Sequence, residues 1–194
     1  MQNDIQKYLT EKFQKEGVQT FTLTKIANEM HISKKTIYKD FESKEALIDK
    51  TIMDMLNNAY TKVINIIAEK SPFIVKFYSI FDIVKDNLKA FDDSSLSELK
   101  RHYPATWIKA ARFRKYNIIP LLRLLIRAGV KKGVLNDYPE ELYLKLIYGA
   151  VSELTKGNNK NFQEEIDILL QIVLNGALTK KGKKFLNYRL VNVN

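Results

Sequence analysis

Apolar residues recur every three or four positions along most of this chain, and strand-type alternation is sustained nowhere. A period near 3.6 is what an amphipathic helix requires, so the pattern predicts an all-α protein. Gly and Pro are scarce, seven and four among 194 residues, which lets helices run long. With 45% hydrophobic and 11% aromatic residues the chain can bury a real core. No apolar run approaches the roughly 18 residues of a membrane span. The densest stretch, from Ile118 to Ile126, is interrupted by Pro120 and Arg123. Met1-Gln2-Asn3-Asp4 lacks the charged and apolar regions of a secretory signal, and a chain without Cys has no disulfides, thiol nucleophile or thiolate zinc site. A cytoplasmic location is the expectation.

The spacing predicts helices over about 3–15, 23–30 and 34–39, a long fourth helix from Lys44, and helical blocks over 72–91, 94–102, 104–131, 139–155 and 162–178. Ile5, Leu9 and Phe13 line one side of the first helix, and Gly17 follows it as a stop. Asp92-Asp93-Ser94, Gly133 to Pro139 and Gly157-Asn158-Asn159 are turn-like breaks. The chain after Leu178 is basic and poor in pattern, so a frayed tail or a short last helix is expected there. The expected division is a small N-terminal helical unit over 1–46 and a larger helical body over 47–194.

Net charge is +10, which invites a polyanionic partner. Its distribution narrows the question. Residues 1–50 hold nine basic and eight acidic side chains, yet Lys34, Lys35 and Lys39 lie in a stretch from His31 without an acid. Residues 100–132 carry ten basic side chains and no acidic one, and Lys180, Lys181, Lys183, Lys184 and Arg189 form a third cluster. Solvated faces account equally well for the last two.

The decisive constellation is local. Two short helices, Leu23–Met30 and Lys34–Lys39, are joined by His31-Ile32-Ser33, the spacing of a helix-turn-helix. Ile26, Ala27, Ile32 and Ile37 can pack beneath it, and Ala27 is small where the helices cross. Thr22 and Ser33 are suited to cap the two helices. His31 sits where such turns need a positive φ, which His tolerates better than most residues. The outer side of the third helix then presents Lys34, Lys35, Thr36, Tyr38 and Lys39, groups able to reach phosphates and base edges.

From Phe21-Thr22-Leu23-Thr24-Lys25-Ile26-Ala27 through His31-Ile32-Ser33-Lys34-Lys35-Thr36-Ile37-Tyr38-Lys39-Asp40-Phe41-Glu42-Ser43-Lys44-Glu45-Ala46-Leu47, the chain resembles the DNA-binding domain of TetR-family transcriptional regulators. Thr36, Tyr38, Phe41, Lys44, Glu45 and Leu47 match the family's Thr-x-Tyr-x-x-Phe-x-x-Lys-Glu-x-Leu at its spacing. His31 departs from the common turn Gly. Lys35 stands where Gly is common, exchanging a contact close to the backbone for a long cation. The resemblance implies that Tyr38 and Lys44 touch phosphate and that Phe41 and Leu47 are structural. The DNA-contacting set it implies is Thr22, Thr24, Lys25, Ser33, Lys34, Lys35, Thr36, Tyr38, Lys39 and Lys44. Asp40 can accept from a cytosine N4 or keep DNA off that side.

Glu98 to Pro104 and Leu125 to Leu135 resemble the body of AcrR-like members, which implies a dimer enclosing an effector pocket. A dimer is also expected physically, because one short recognition helix covers too few base pairs. The helices over 139–155 and 162–178 are candidates for its interface, with Ile147, Val151, Ile166, Leu170, Val173 and Leu174 as apolar contacts or as plain core. Tyr60, Phe77, Tyr78, Phe81, Tyr103, Trp107, Phe113 and Tyr148 are candidates to line a small-molecule cavity; core packing is the competing role. Two isolated His and no Cys supply too few parts for a triad or a metal centre, and no phosphate-binding Gly motif is present. No catalytic residue, metal or cofactor is therefore expected. The expectation is a homodimeric repressor that leaves a palindromic operator when it takes up an effector. The alternative is a DNA-bound scaffold or co-regulator acting through a protein partner.

Overall fold

A computed structural model describes residues 2–18, 22–88, 90, 92–154 and 162–184. Among them every regular element is helical: α1 (Gln2–Glu16), α2 (Leu23–Glu29), α3 (Lys34–Asp40), α4 (Lys44–Ala68), α5 (Phe73–Leu88), α6 (Asp93–His102), α7 (Pro104–Phe113), α8 (Ile119–Lys131), α9 (Glu140–Leu154) and α10 (Phe162–Ala177). A short helical turn over 180–184 follows. Arg189 and the break over 157–159 lie outside the described residues. No described helix is long and apolar enough to cross a membrane.

The helices form two compact units, Met1–Thr61 with Asp86–Arg114, and Lys62–Lys85 with Lys115–Asn194. In the first, Ile5, Leu9 and Phe13 repeat every four residues and are fully buried against Ile26, Ile37, Leu47, Ile48, Ile52 and Leu99. The amide of Gly17, at φ 77°, donates to the Phe13 carbonyl and ends α1 where only Gly is at ease. Asp92 caps α6 by accepting from the Ser95 amide at 2.7 Å, and the Ser95 hydroxyl accepts from the buried Val18 amide at 2.8 Å. Thus α6 and α7, which the sequence division assigns to the body, share a core with α1 to α4.

The second unit buries Ile74, Ile126, Val134, Leu135, Tyr143, Leu174, Ala177 and Leu178. Gly129 permits a close approach within it, since a Cβ there would fall 2.6 Å from Leu135 Cδ1 and 2.7 Å from Phe73 Cζ. Asn136 caps the end of α10, donating from Nδ2 to the Gly176 carbonyl at 3.2 Å, while the Tyr143 hydroxyl donates to the Asn136 carbonyl at 2.6 Å.

Two expectations are corrected. The block over 104–131 is not one α-helix, because Arg114–Ile118 is a π-helical turn between α7 and α8. Pro120 explains it: proline has no N–H for the carbonyl four residues back and its ring crowds that carbonyl, so the preceding turn widens. The expected interface residues Ile166, Val173 and Leu174 are buried in the chain's own core, and Ile147 is half-buried. The side chains of Val151 and Leu170 lie outside those described. Among the described side chains, the exposed large apolar positions of α9 and α10 are Leu142, Leu146, Tyr148, Ile168 and Ile172.

Candidate nucleic-acid interface

Seven-residue helices such as α2 and α3 do not persist alone, so their ends need partners. Thr22 supplies one, its hydroxyl accepting from the Lys25 amide at 3.1 Å. Ser33 does the same for α3, accepting from the Thr36 amide at 3.1 Å, and its oxygen lies 2.9 Å from the Thr36 hydroxyl. Ser43 caps α4 through the Ala46 amide at 3.0 Å. Between α2 and α3, His31 takes φ 54° as expected, its amide donating to the Asn28 carbonyl at 3.1 Å. The Ile32 amide reaches the Ala27 carbonyl at 2.9 Å. This paired return satisfies the last carbonyls of α2 and turns the chain into α3.

That framework sorts the candidate residues. Ile26, Ala27 and Ile37 are buried and Ile32 packs against them, so the opposite side of α3 faces outward. Tyr38 is 54% exposed, which removes the core role open to it in the sequence. Lys34, Lys35 and Lys39 are exposed and make no ion pair among the described residues; Thr36 is half-exposed. Thr22, Thr24, Lys25 and Ser33 are exposed along the same two helices. Phe41 and Leu47 are buried, matching the structural role expected of them. One Asp40 oxygen, Oδ2, is shut off from solvent and has no hydrogen-bond partner.

One acidic group near this face, Glu29, is engaged elsewhere. The Glu29 carboxylate accepts from the Tyr8 hydroxyl and from Lys12 Nζ at 3.0 Å, tying α2 to α1. Those two hydrogen bonds, Tyr8 first, hold the Glu29 carboxyl below the ordinary carboxylate range. Burial, reinforced by Glu29, pushes the Tyr8 phenol up. The outward side of α3 presents Lys34, Lys35 and Lys39.

Lys44 opens α4 and is half-buried, its ammonium 5.5 Å from the centre of the Tyr103 ring. Five residues on, Asp49 accepts from the Thr106 hydroxyl at 3.0 Å and from Lys109 Nζ at 2.8 Å. Sequence reading missed both contacts. Partners some sixty positions apart leave no periodic signal.

The match between this geometry and known proteins is specific at the N-terminus. Residues 10–51 match the family model described as bacterial regulatory proteins, tetR family. The fold is that of a TetR-family regulator. Similar solved structures include the ketosteroid regulator KstR2 of Mycobacterium tuberculosis, at 15% identity and TM-score 0.66, covering 92% of this chain and 95% of that one. A TetR-family regulator from Agrobacterium tumefaciens aligns at 14% identity and TM-score 0.71, covering 92% and 97%. SCO0520 from Streptomyces coelicolor aligns at 18% identity and TM-score 0.64, covering 93% and 99%. No curated protein sequence matches the chain.

The aromatic candidates for an effector cavity fall in different places. Tyr60 and Phe113 make an edge-on pair at 5.8 Å in the first unit, where Tyr103 is buried and Trp107 half-buried. Phe77, Tyr78 and Phe81 pack half-buried against the core of the second unit, whereas Tyr148 is exposed. A cleft of about 550 Å³ in that unit is lined by none of them; Ile126, Val130 and Tyr138 border it beside Arg127 paired to Glu140.

The basic run over 100–132 is partly neutralised. Arg123 and Arg127 bind Glu140 and Glu141 at the start of α9, and Lys109 binds Asp49. These pairs account for three of its ten cations.

Proposed function

We propose that the chain is a homodimeric, sequence-specific repressor whose residues 1–46 read one half of a palindromic operator in the cytoplasm. The observation that carries this reading is the outward row Lys34, Lys35, Tyr38 and Lys39 on a capped α3, with Ile37 buried beneath it. Hydroxyl and ammonium groups on one face of a short helix suit a major groove, where phosphate contacts position and base contacts specify. Thr22, Thr24, Lys25, Ser33, Thr36 and Lys44 complete the proposed contacting set.

Dimerisation rests on Leu142, Leu146, Ile168 and Ile172, exposed apolar side chains on α9 and α10. Leu142 and Leu146, like Ile168 and Ile172, are four apart and so share a helix face. Two subunits then offer recognition helices to grooves about 34 Å apart, and a change of a few Å in that spacing breaks simultaneous docking. For the effector we propose the aromatic row Phe77, Tyr78 and Phe81 of α5. Effector and DNA must weaken each other equally.

Selection of bound duplexes from a random pool tests the reading, with a Tyr38→Phe, Lys44→Ala variant alongside. An enriched palindrome that the variant binds poorly is the expected result. Retention without an enriched motif, lost steeply as salt rises, contradicts it, since that is charge-driven binding alone. An effector present at about 100 times its Kd adds roughly 2.7 kcal/mol to native stability, so a thermal-shift screen checks the second half.

A further inference from the structure

A lysine at the first position of a helix is electrostatically misplaced, because the free amides there already carry partial positive charge. Lys44 occupies that position in α4. Within the same unit, the negative face of an aromatic ring answers the charge: Lys44 Nζ stands 5.5 Å from the centre of the Tyr103 ring.

Tyr103 is not a loose side chain. It forms the corner between α6 and α7, is 6% exposed, and its amide donates to the Leu99 carbonyl at 2.8 Å. Pro104 follows immediately, so the backbone at the corner has little freedom. Just beyond it, Thr106 and Lys109 of α7 grip Asp49, one turn further along α4 from Lys44. The ring is thus fixed to the same stretch of α4 that carries the lysine.

We infer that Tyr103 is a positioning residue of the DNA interface, its ring being the shelf that holds the Lys44 ammonium ready for a DNA phosphate. The inference rests on the reading of Lys44 as a phosphate contact. Ordering a flexible lysine beforehand spares part of the entropy that its immobilisation costs on binding. A cation–π contact at a partly exposed site corresponds to about a two- to fivefold change in an equilibrium constant.

The test is a double-variant cycle on the selected duplex, titrated at several salt concentrations. Tyr103→Leu is expected to weaken binding about two- to fivefold and Tyr103→Phe, which keeps the ring, to leave it unchanged. In a Lys44→Met background Tyr103→Leu is expected to cost nothing further. An equal loss in both backgrounds assigns Tyr103 to packing and overturns the inference, as does no loss in either. Lys44→Met is expected to lower the salt slope by roughly one phosphate contact; an unchanged slope removes the premise and overturns the inference while leaving α3 as reader. Should Tyr103→Leu fold poorly, NMR of the intact chain decides. Upfield-shifted Lys44 ε-methylene protons, kept in Tyr103→Phe, support the shelf, and random-coil shifts overturn it. Failure of the wild-type chain to bind any duplex overturns the functional reading and this inference together; binding without coupling overturns this inference alone.

Discussion

Ser33 is a proposed DNA contact whose oxygen already has a partner. It accepts from the Thr36 amide at 3.1 Å and so supplies the cap of a seven-residue helix. Replacing a Ser cap by Ala costs about 1 kcal/mol, within a range of roughly 0.5–2. In a chain of this length that is a fall of roughly 2–4 °C in Tm, or an equivalent drop in urea midpoint at fixed protein concentration. Ser33→Asp separates the two roles. Asp caps as well as Ser and its charge suits a helix start, so stability is expected to hold within about 0.5 kcal/mol. The same charge set about 6 Å from phosphates costs roughly 0.7 kcal/mol for each one it meets in water, so DNA affinity is expected to fall about three- to tenfold at low salt. Salt then narrows the gap, because the Debye length shrinks to about 10 Å at 0.1 M. Urea unfolding and fluorescence anisotropy on the selected duplex read the two effects. An unchanged midpoint in Ser33→Ala refutes the cap, and unchanged DNA affinity in Ser33→Asp refutes the placement of α3 against DNA.

Further outcomes follow from other parts of the molecule. Leu146→Asp with Ile172→Asp is expected to convert dimer to monomer in analytical ultracentrifugation, because the two side chains are 51% and 64% exposed; a dimer that persists places the interface elsewhere. Gly129→Ala, normally a gain of about 1 kcal/mol in a helix, is expected to destabilise, since overpacking costs about 1–3 kcal/mol and the new Cβ meets Leu135 and Phe73. A raised urea midpoint contradicts that packing. Glu29 ionises at lower pH in the folded than in the unfolded chain, so its ties to Tyr8 and Lys12 stabilise above the ordinary carboxylate range and fade as pH falls through it. The midpoint gap between wild type and Glu29→Gln is expected to narrow as pH falls through and below the ordinary carboxylate range; a pH-independent gap contradicts the ionic origin.

The recognition unit was legible in the sequence because its determinants are local. Thr22 and Ser33 lie at their caps, His31 has the positive φ its place required, and Ile26, Ala27 and Ile37 face inward. What depends on distant partners was not. Glu29 gives no sign in sequence that Tyr8 and Lys12 will take it up, nor Asp49 that Thr106 and Lys109 will. Helix α10 was misphased for a related reason. Ile166, Ile168, Ile172, Val173 and Leu174 clothe more than one side, so periodicity alone did not separate the buried face from the exposed one. The Pro120 signal was present but under-read, since proline marks where a helix must change its turn. Tyr103 reads in sequence as cavity wall or core, and its place against Lys44 depends on a partner too distant to leave a periodic signal.

The central claim is that DNA meets α3 and the ends beside it. Amide chemical shifts of the labelled chain, recorded while the selected duplex is added, test this most directly. The expected result is perturbation concentrated at residues 22–25, 33–39 and 44. Shifts centred instead on the lysines of 180–184 or on the exposed face of α9 and α10, with α3 silent, contradict the account.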